Sequence, residues 1–376
     1  MLKTEIIHHM KKLSIVLLLS IFTWPAMGQM DVPPVGGNPR ATVSEEVGIT
    51  NITVKYSRPD VGGREGKIWG ALVTNGFTSN SFITNRPTAP WRAGANENTT
   101  ITFEHDVKVE GQAVKAGTYG VFMVVWPDSV MLILSNQSDA WGSFYYEEKN
   151  DALRTILKPQ MNDKSVEWLK YEFIEHKEKS CTIAMLWEKL IVPFKVEVDV
   201  DNIVIARLRE QVTSQRGFNS TNMVQAAQYC LNKSINLDEA LTWSQRAVTG
   251  FNGQRSFVTL RNLATAYEKL NRLPAADSVM TDALGMANAN QYVAYGRALI
   301  TQKRTDKALE VLKTNLQKNG DVYMANLGLM FGYSAKGDYA NAIKHADKAI
   351  AQATNDPAKK QIEGNIAKLK ENKDVN

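Results

Sequence analysis

The chain has 376 residues, enough for two or three domains, and its 44% hydrophobic and 22% charged content is that of a folded globular protein rather than a disordered one. The net charge of +5 is small and scattered, and Lys3, Lys11 and Lys12 supply part of it. No basic stripe exists to hold nucleic acid, so nucleic acid is excluded as a partner.

In chain order, residues 1–28 read as a secretory signal peptide. Lys11-Lys12 form its basic end, Leu13 to Trp24 its apolar core, and Ala26 and Gly28 the small residues before a cut at Gln29. That core is too short to span a bilayer, and no later run approaches eighteen apolar residues, so the mature protein should have no transmembrane span. There is no lipobox cysteine. The expected location is therefore periplasmic or secreted. Residues 29–40 include VPPVGGNPR, a Pro/Gly-rich stretch without periodicity, read as an extended arm.

Residues 41–199 carry strand patterns. Asn51 to Tyr56 alternates polar and apolar residues, and Ser57-Arg58-Pro59-Asp60 ends the run. Val61 to Lys67 is Gly-rich but lacks the Gly-Lys-Ser/Thr of a phosphate-binding loop, so it is a turn. Further strands are expected at Asn98 to Phe103, Ala113-Val114, Tyr119 to Trp126, Val130 to Leu134, Arg154 to Leu157, Glu167 to Glu175, Cys181 to Glu188 and Phe194 to Val198. Pro193 marks an edge or bulge. Many short, turn-bounded strands predict an all-β antiparallel sandwich or a jelly-roll-like barrel. Trp69, Trp91, Trp126, Trp141, Trp168 and Trp187 all fall here and imply an aromatic-rich core of its own.

The segments WRAGANENTTITF, VKVEGQAVKAGTYGVFM, WGSFYYEEKNDALR and MLWEKLIVPFKVEV resemble a family known as domain of unknown function (DUF) 2911, over Pro33 to Asp199. The resemblance implies membership for this half and brings no activity with it. The chain departs from the family pattern at Ala71 to Pro90, an insertion containing Thr78-Ser79-Asn80-Ser81, which is expected to reshape any shared site it flanks.

From Asp201, read as an N-cap, the period becomes helical. Four segments align, LDEALTWSQRAV, LPAADSVMTDAL, TDKALEVLKTNL and DYANAIKHADKAI, with matching Ala240, Ala276, Ala308 and Ala342 at spacings of 36, 32 and 34 residues. Seven residues later stand Ala247, Ala283, Asn315 and Ala349. Tyr267 and Tyr333 precede their alanines by nine. The pattern resembles tetratricopeptide repeats, so residues 200–376 are expected to be all-α helical repeats, with Pro357 to Lys373 as a polar capping helix. Such an array implies a protein partner.

The candidate ligand-binding residues are Trp91, Arg92, Asn96, Glu97, Trp141 and Tyr145. Opposite charges on either side of Ala93-Gly94-Ala95 predict that Arg92 meets Glu97, with Asn96 beside them on a concave rim next to Trp91 and the WGSFYY segment. Loops at strand ends are where binding residues gather. Trp141 and Tyr145 would offer a stacking platform for a glycan or peptide. The main reading is an exported binding or scaffolding protein. The alternative is an extracytoplasmic hydrolase on glycan with Glu97 as acid/base, its second carboxylate drawn from Glu104, Asp106 or Glu147. No Ser nucleophile motif, no metal site and no cofactor motif is legible: His105, His176 and His345 are scattered, and Cys181 and Cys230 are expected as buried free thiols.

Overall fold

The structure is a computed structural model and describes residues 37–78 and 88–376. The signal segment, residues 29–36 of the arm, and residues 79–87 of the insertion lie outside the described residues. The chain divides into two compact units, Met1–Ile203 and Val204–Asn376.

The first unit holds two antiparallel sheets. Strands β1 (Arg40–Val47), β2 (Thr50–Ser57), β3 (Thr99–Phe103), β6 (Gly117–Val125), β7 (Val130–Ser135) and β8 (Asp151–Leu157) form a six-stranded sheet in the order β1-β2-β3-β6-β7-β8. Strands β4 (Val107–Val109), β5 (Gln112–Val114), β9 (Gln160–Lys177) and β10 (Ser180–Val198) form the second, in the order β5-β4-β10-β9. Among the described residues neither sheet closes into a barrel. Alternation decides which side chains go inside: Ile52, Val54 and Tyr56 of β2 are buried, as are Ile101 and Phe103 of β3. Strand β6 is buried on both faces from Tyr119 to Val125, as its unbroken apolar run requires. Tyr56 of the first sheet meets Tyr171 of the second edge-on, ring centroids 4.9 Å apart.

Three elements differ from the sequence reading. Strand β1 starts at the last residue of the expected arm and runs the full length of β2. Its partner face is only half-buried, so its apolar signal is weak. Strand β4 is three residues long, too short for a periodicity window. The two strands expected on either side of Pro193 are one strand, β10. Its ladder with β9 ends at Ile191 and its ladder with β4 begins at Val196, so the missing N–H of Pro193 falls between two partners.

The helix α1 (Val200–Thr213) carries the chain into the second unit. Asp201 lies inside its first turn rather than capping it, and its carboxylate pairs with Lys179. The helices that follow are α2 (Ser220–Lys233), α3 (Leu237–Thr249), α4 (Phe257–Lys269), α5 (Leu273–Gly285), α6 (Ala289–Thr301), α7 (Thr305–Asn319), α8 (Tyr323–Ala335), α9 (Tyr339–Gln352) and α10 (Asp356–Lys370). They pair as α2 with α3, α4 with α5, α6 with α7 and α8 with α9. Ala240, Ala276, Ala308 and Ala342 are completely buried, because the paired backbones approach closely there. Asn315 is equally buried. Its Nδ2 donates to the Ala289 carbonyl at 3.1 Å and its Oδ1 accepts from Asn319 at 2.8 Å, which lets a polar residue stand where the other repeats have alanine. Helix α10 buries Ile362 and Leu369.

Candidate functional site

The loop from Trp91 to Asn98 joins the insertion to β3, and the protein fixes it along its length. Trp91 forms a bridge with Met123 of β6. The Ala93 carbonyl accepts from Thr99 Oγ1 at 3.0 Å and from the Tyr171 hydroxyl at 2.9 Å. The Ala95 amide donates to the Ser57 carbonyl at 3.1 Å. The small residues of Ala93-Gly94-Ala95 are needed for this fit: a Cβ on Gly94 would lie 2.6 Å from Thr99 Oγ1. Ala93 and Asn96 both adopt left-handed φ, 51° and 57°, and these two residues turn the loop.

Those turns separate the residues expected to pair. Arg92 and Glu97 do not meet. Glu97 bonds to Arg40 at the start of β1 and to Ser57 Oγ, 3.2 Å away at the end of β2. Burial pushes its carboxyl upward, but the hydrogen bonds from its backbone surroundings, Arg40 and Ser57, with the charge of Arg40, outweigh this and hold it below the ordinary carboxylate range. A carboxylate so held is a poor proton donor near neutrality. Glu104, Asp106 and Glu147 are also engaged, with the Asn51 amide, with Lys115 and the Ala116 amide, and with Lys149.

Arg92 turns the other way. Its Nη1 donates to the Asn96 carbonyl at 2.7 Å, and its guanidinium lies over the Phe144 ring, 5.5 Å from the centroid. Among the described residues no carboxylate pairs with it. Burial lowers its pKa, as expected for a cation partly removed from water. Gly142, with φ of 60°, makes room for it: a Cβ there would collide with the Arg92 guanidinium.

The WGSFYY segment therefore does meet the loop, through Gly142 and Phe144. Asn98 strengthens the seam. Its amide donates to the Ala140 carbonyl at 3.2 Å and its Nδ2 to the Gln137 carbonyl at 3.2 Å, which leaves Oδ1 buried without a partner. Trp141 and Tyr145 point outward, 54% and 64% exposed. Trp91 is half-buried and packs against the core. It stacks on Trp187 at 5.9 Å, and Trp69 meets both edge-on. Asn96 contributes its backbone carbonyl, while its side chain accepts from Asn38 at 3.4 Å.

Two features went unread in the sequence: Arg40 and Ser57 as partners of Glu97, and Gly142 as the seat of Arg92. A glycine inside an aromatic run was the available signal for the second. A cleft of about 490 Å³ in this unit is walled by Phe77, Thr88, Tyr146, Glu148 and Arg154 rather than by Arg92 or Trp141. At its wall Tyr146 donates to Asp151, and Arg154 bonds to Asp151, Glu148 and the Tyr146 oxygen. These groups largely satisfy one another. Among the described residues no group of three or more His, Cys, Asp or Glu side chains is placed to hold a metal ion. No described helix is long and apolar enough to cross a membrane. Cys181 and Cys230 are buried free thiols, and burial pushes Cys181 up to about 12.

No curated protein matches the chain in sequence. Several solved structures resemble it over part of its length. They include the Cut9 and Hcn1 hetero-tetramer of the APC/C, at 15% identity, 46% of this chain, 33% of that one and a TM-score of 0.31. YrrB, described as a TPR protein with an unusual peptide-binding site, matches at 16% identity, 44% and 84% coverage and a TM-score of 0.30. TTC0263, a thermophilic TPR protein of Thermus thermophilus, matches at 19% identity, 45% and 91% coverage and a TM-score of 0.31. Residues 38–196 match the family described as "Protein of unknown function (DUF2911)", and the β unit is accordingly a domain of that family.

Proposed function

We propose that the protein is an exported binding and scaffolding protein. Its β domain, a sandwich of the two sheets, recognises a glycan or peptide at the Arg92 loop, and its tetratricopeptide-like array holds a protein partner. The observation that carries the first half is the exposure of Trp141 and Tyr145 on a segment anchored by Gly142, Phe144 and Asn98. Large aromatics displayed on a fixed loop are contact surfaces, since a folded core has no use for them there. The second half is supported by the form of the array, whose stacked helix pairs present one long surface. Export is supported by the N-terminal basic and apolar pattern alone. Nothing favours the hydrolase reading, because Glu97 is tied to Arg40 and Ser57.

The test is a double variant, Trp141→Ala with Tyr145→Ala, screened beside the parent on glycan and peptide arrays. The reading expects an unchanged melting temperature and lost binding. Equal binding by both proteins would overturn it.

A further inference from the structure

Arg92 is a cation that the protein has positioned without neutralising. Its Nη1 is bonded to the Asn96 carbonyl, and no other acceptor among the described residues engages the guanidinium. Its position is nevertheless tightly set, by the left-handed turn at Asn96, the Phe144 ring and the missing side chain at Gly142. Partly burying an unpaired charge is costly, and the cost is recovered when a ligand brings the opposite charge. The acid nearest in sequence, Glu97, is already committed to Arg40 and Ser57 and cannot supply it.

We propose that the Arg92 loop binds a carboxylate-bearing sugar, with the carboxylate on the guanidinium edge that no described acceptor engages and the sugar ring against Trp141 or Tyr145. The proposal rests on the reading of this loop as a ligand site and names the chemistry of the ligand. A planar carboxylate matches the guanidinium fork through two parallel hydrogen bonds. One negative charge neutralises one positive charge, whereas a phosphate dianion would leave an excess in a half-buried place. Three other cations of this unit are already paired: Arg40 with Glu97, Lys149 with Glu147, and Arg154 with Glu148 and Asp151. A run of acidic residues in a peptide would find none of these three cations free for its next carboxylate. The exposed aromatics suit a sugar, whose apolar ring face lies flat on an indole or phenol while its hydroxyls stay in water.

The experiment titrates the full-length protein by calorimetry with an oligogalacturonate, the neutral oligogalactose of equal length, and a Glu-rich peptide. The uronate should bind, and the neutral sugar should bind roughly ten- to hundred-fold more weakly, the range of a lost charge-assisted hydrogen bond. Uronate affinity should fall with added salt. Arg92→Lys keeps the charge and loses the fork, and should weaken uronate binding about tenfold. Trp141→Ala should weaken both sugars. Equal affinity for the two sugars overturns the proposal, and so does preference for the Glu-rich peptide. Both outcomes leave the loop a ligand site if binding still depends on Trp141. If none of the three ligands binds in a Trp141-dependent way, the proposal and the reading of the loop fall together. The comparison of the two sugars needs no variant, so a poorly folding Arg92→Lys leaves the test intact.

Discussion

The β unit and the helical unit solve the same problem, burying an apolar core, in opposite ways. In the β unit the contacts that matter are far apart in sequence. Strand β10 pairs with β4, the Tyr171 hydroxyl bonds to the Ala93 carbonyl, and Trp187 packs against both Trp69 and Trp91. In the helical unit the contacts stay within a helix pair or reach the next one: Asn315 bonds to the Ala289 carbonyl within its pair, and Asn262 to Ser244 and Arg304 to Asp277 bridge to the preceding pair. Large aromatics fill the first core, and alanines set the spacing of the second. Damage should therefore spread through the whole β unit but stay local in the array, where stability is a sum of neighbour terms.

The largest effect should come from Trp187→Ala. The side chain is 1% exposed and stands between two other indoles. Its loss should cost about 3–5 kcal/mol and shift a single cooperative transition of the β unit in denaturant. A transition that splits in two would break the comparison. Ala308→Leu should cost about 1–3 kcal/mol by overpacking a completely buried contact between α6 and α7. Hydrogen exchange should accelerate in α6 to α8 and stay unchanged in α2 and α3. Acceleration throughout the array would show long-range cooperativity.

A smaller effect locates where the two regimes meet. Val200 opens α1, yet it is buried against Gly48 in the β1–β2 turn, where a Cβ would lie 2.5 Å from its Cγ1. A fragment from Gln29 to Asp199 should melt cooperatively but be about 2 kcal/mol less stable than one ending at Ile203. Equal denaturation midpoints would remove α1 from the β core.

The smallest effect is electrostatic. Asp321 accepts from Asn326 and pairs with Lys348 at 2.9 Å, and these contacts lower its pKa from 3.8 to about 2. A depressed carboxylate stabilises the fold above its unfolded pKa and loses that contribution as pH falls through the folded value. The last repeat should therefore weaken between about pH 4 and 2, and Asp321→Asn should flatten that limb. An NMR titration of Asp321 with a midpoint near the ordinary 3.8 would rule this out.

Local periodicity was enough to place most strands, the change from β to α pattern near Asp199, and the four alanines at which helices pair. Period 2 and period 3.6 are written in neighbouring residues, and a close helix approach demands a small side chain wherever it occurs. The WGSFYY segment beside the Arg92 loop was legible as well, because an aromatic run and a polar strand-end loop each carry a local signal. What belonged to the tertiary structure alone was the choice of partner. Arg92 and Glu97 are five residues apart with opposite charge, and sequence logic joins them. The fold brings Arg40 and Ser57 to Glu97 from two other strands, and left-handed backbone at Asn96 sends Arg92 to Phe144 and Gly142 instead. Trp91 likewise stands half-buried against two indoles, Trp69 and Trp187, that converge on it only when the sheets assemble. A side chain's type can be read where it stands, but its partner depends on backbone geometry and on segments that only the fold brings near.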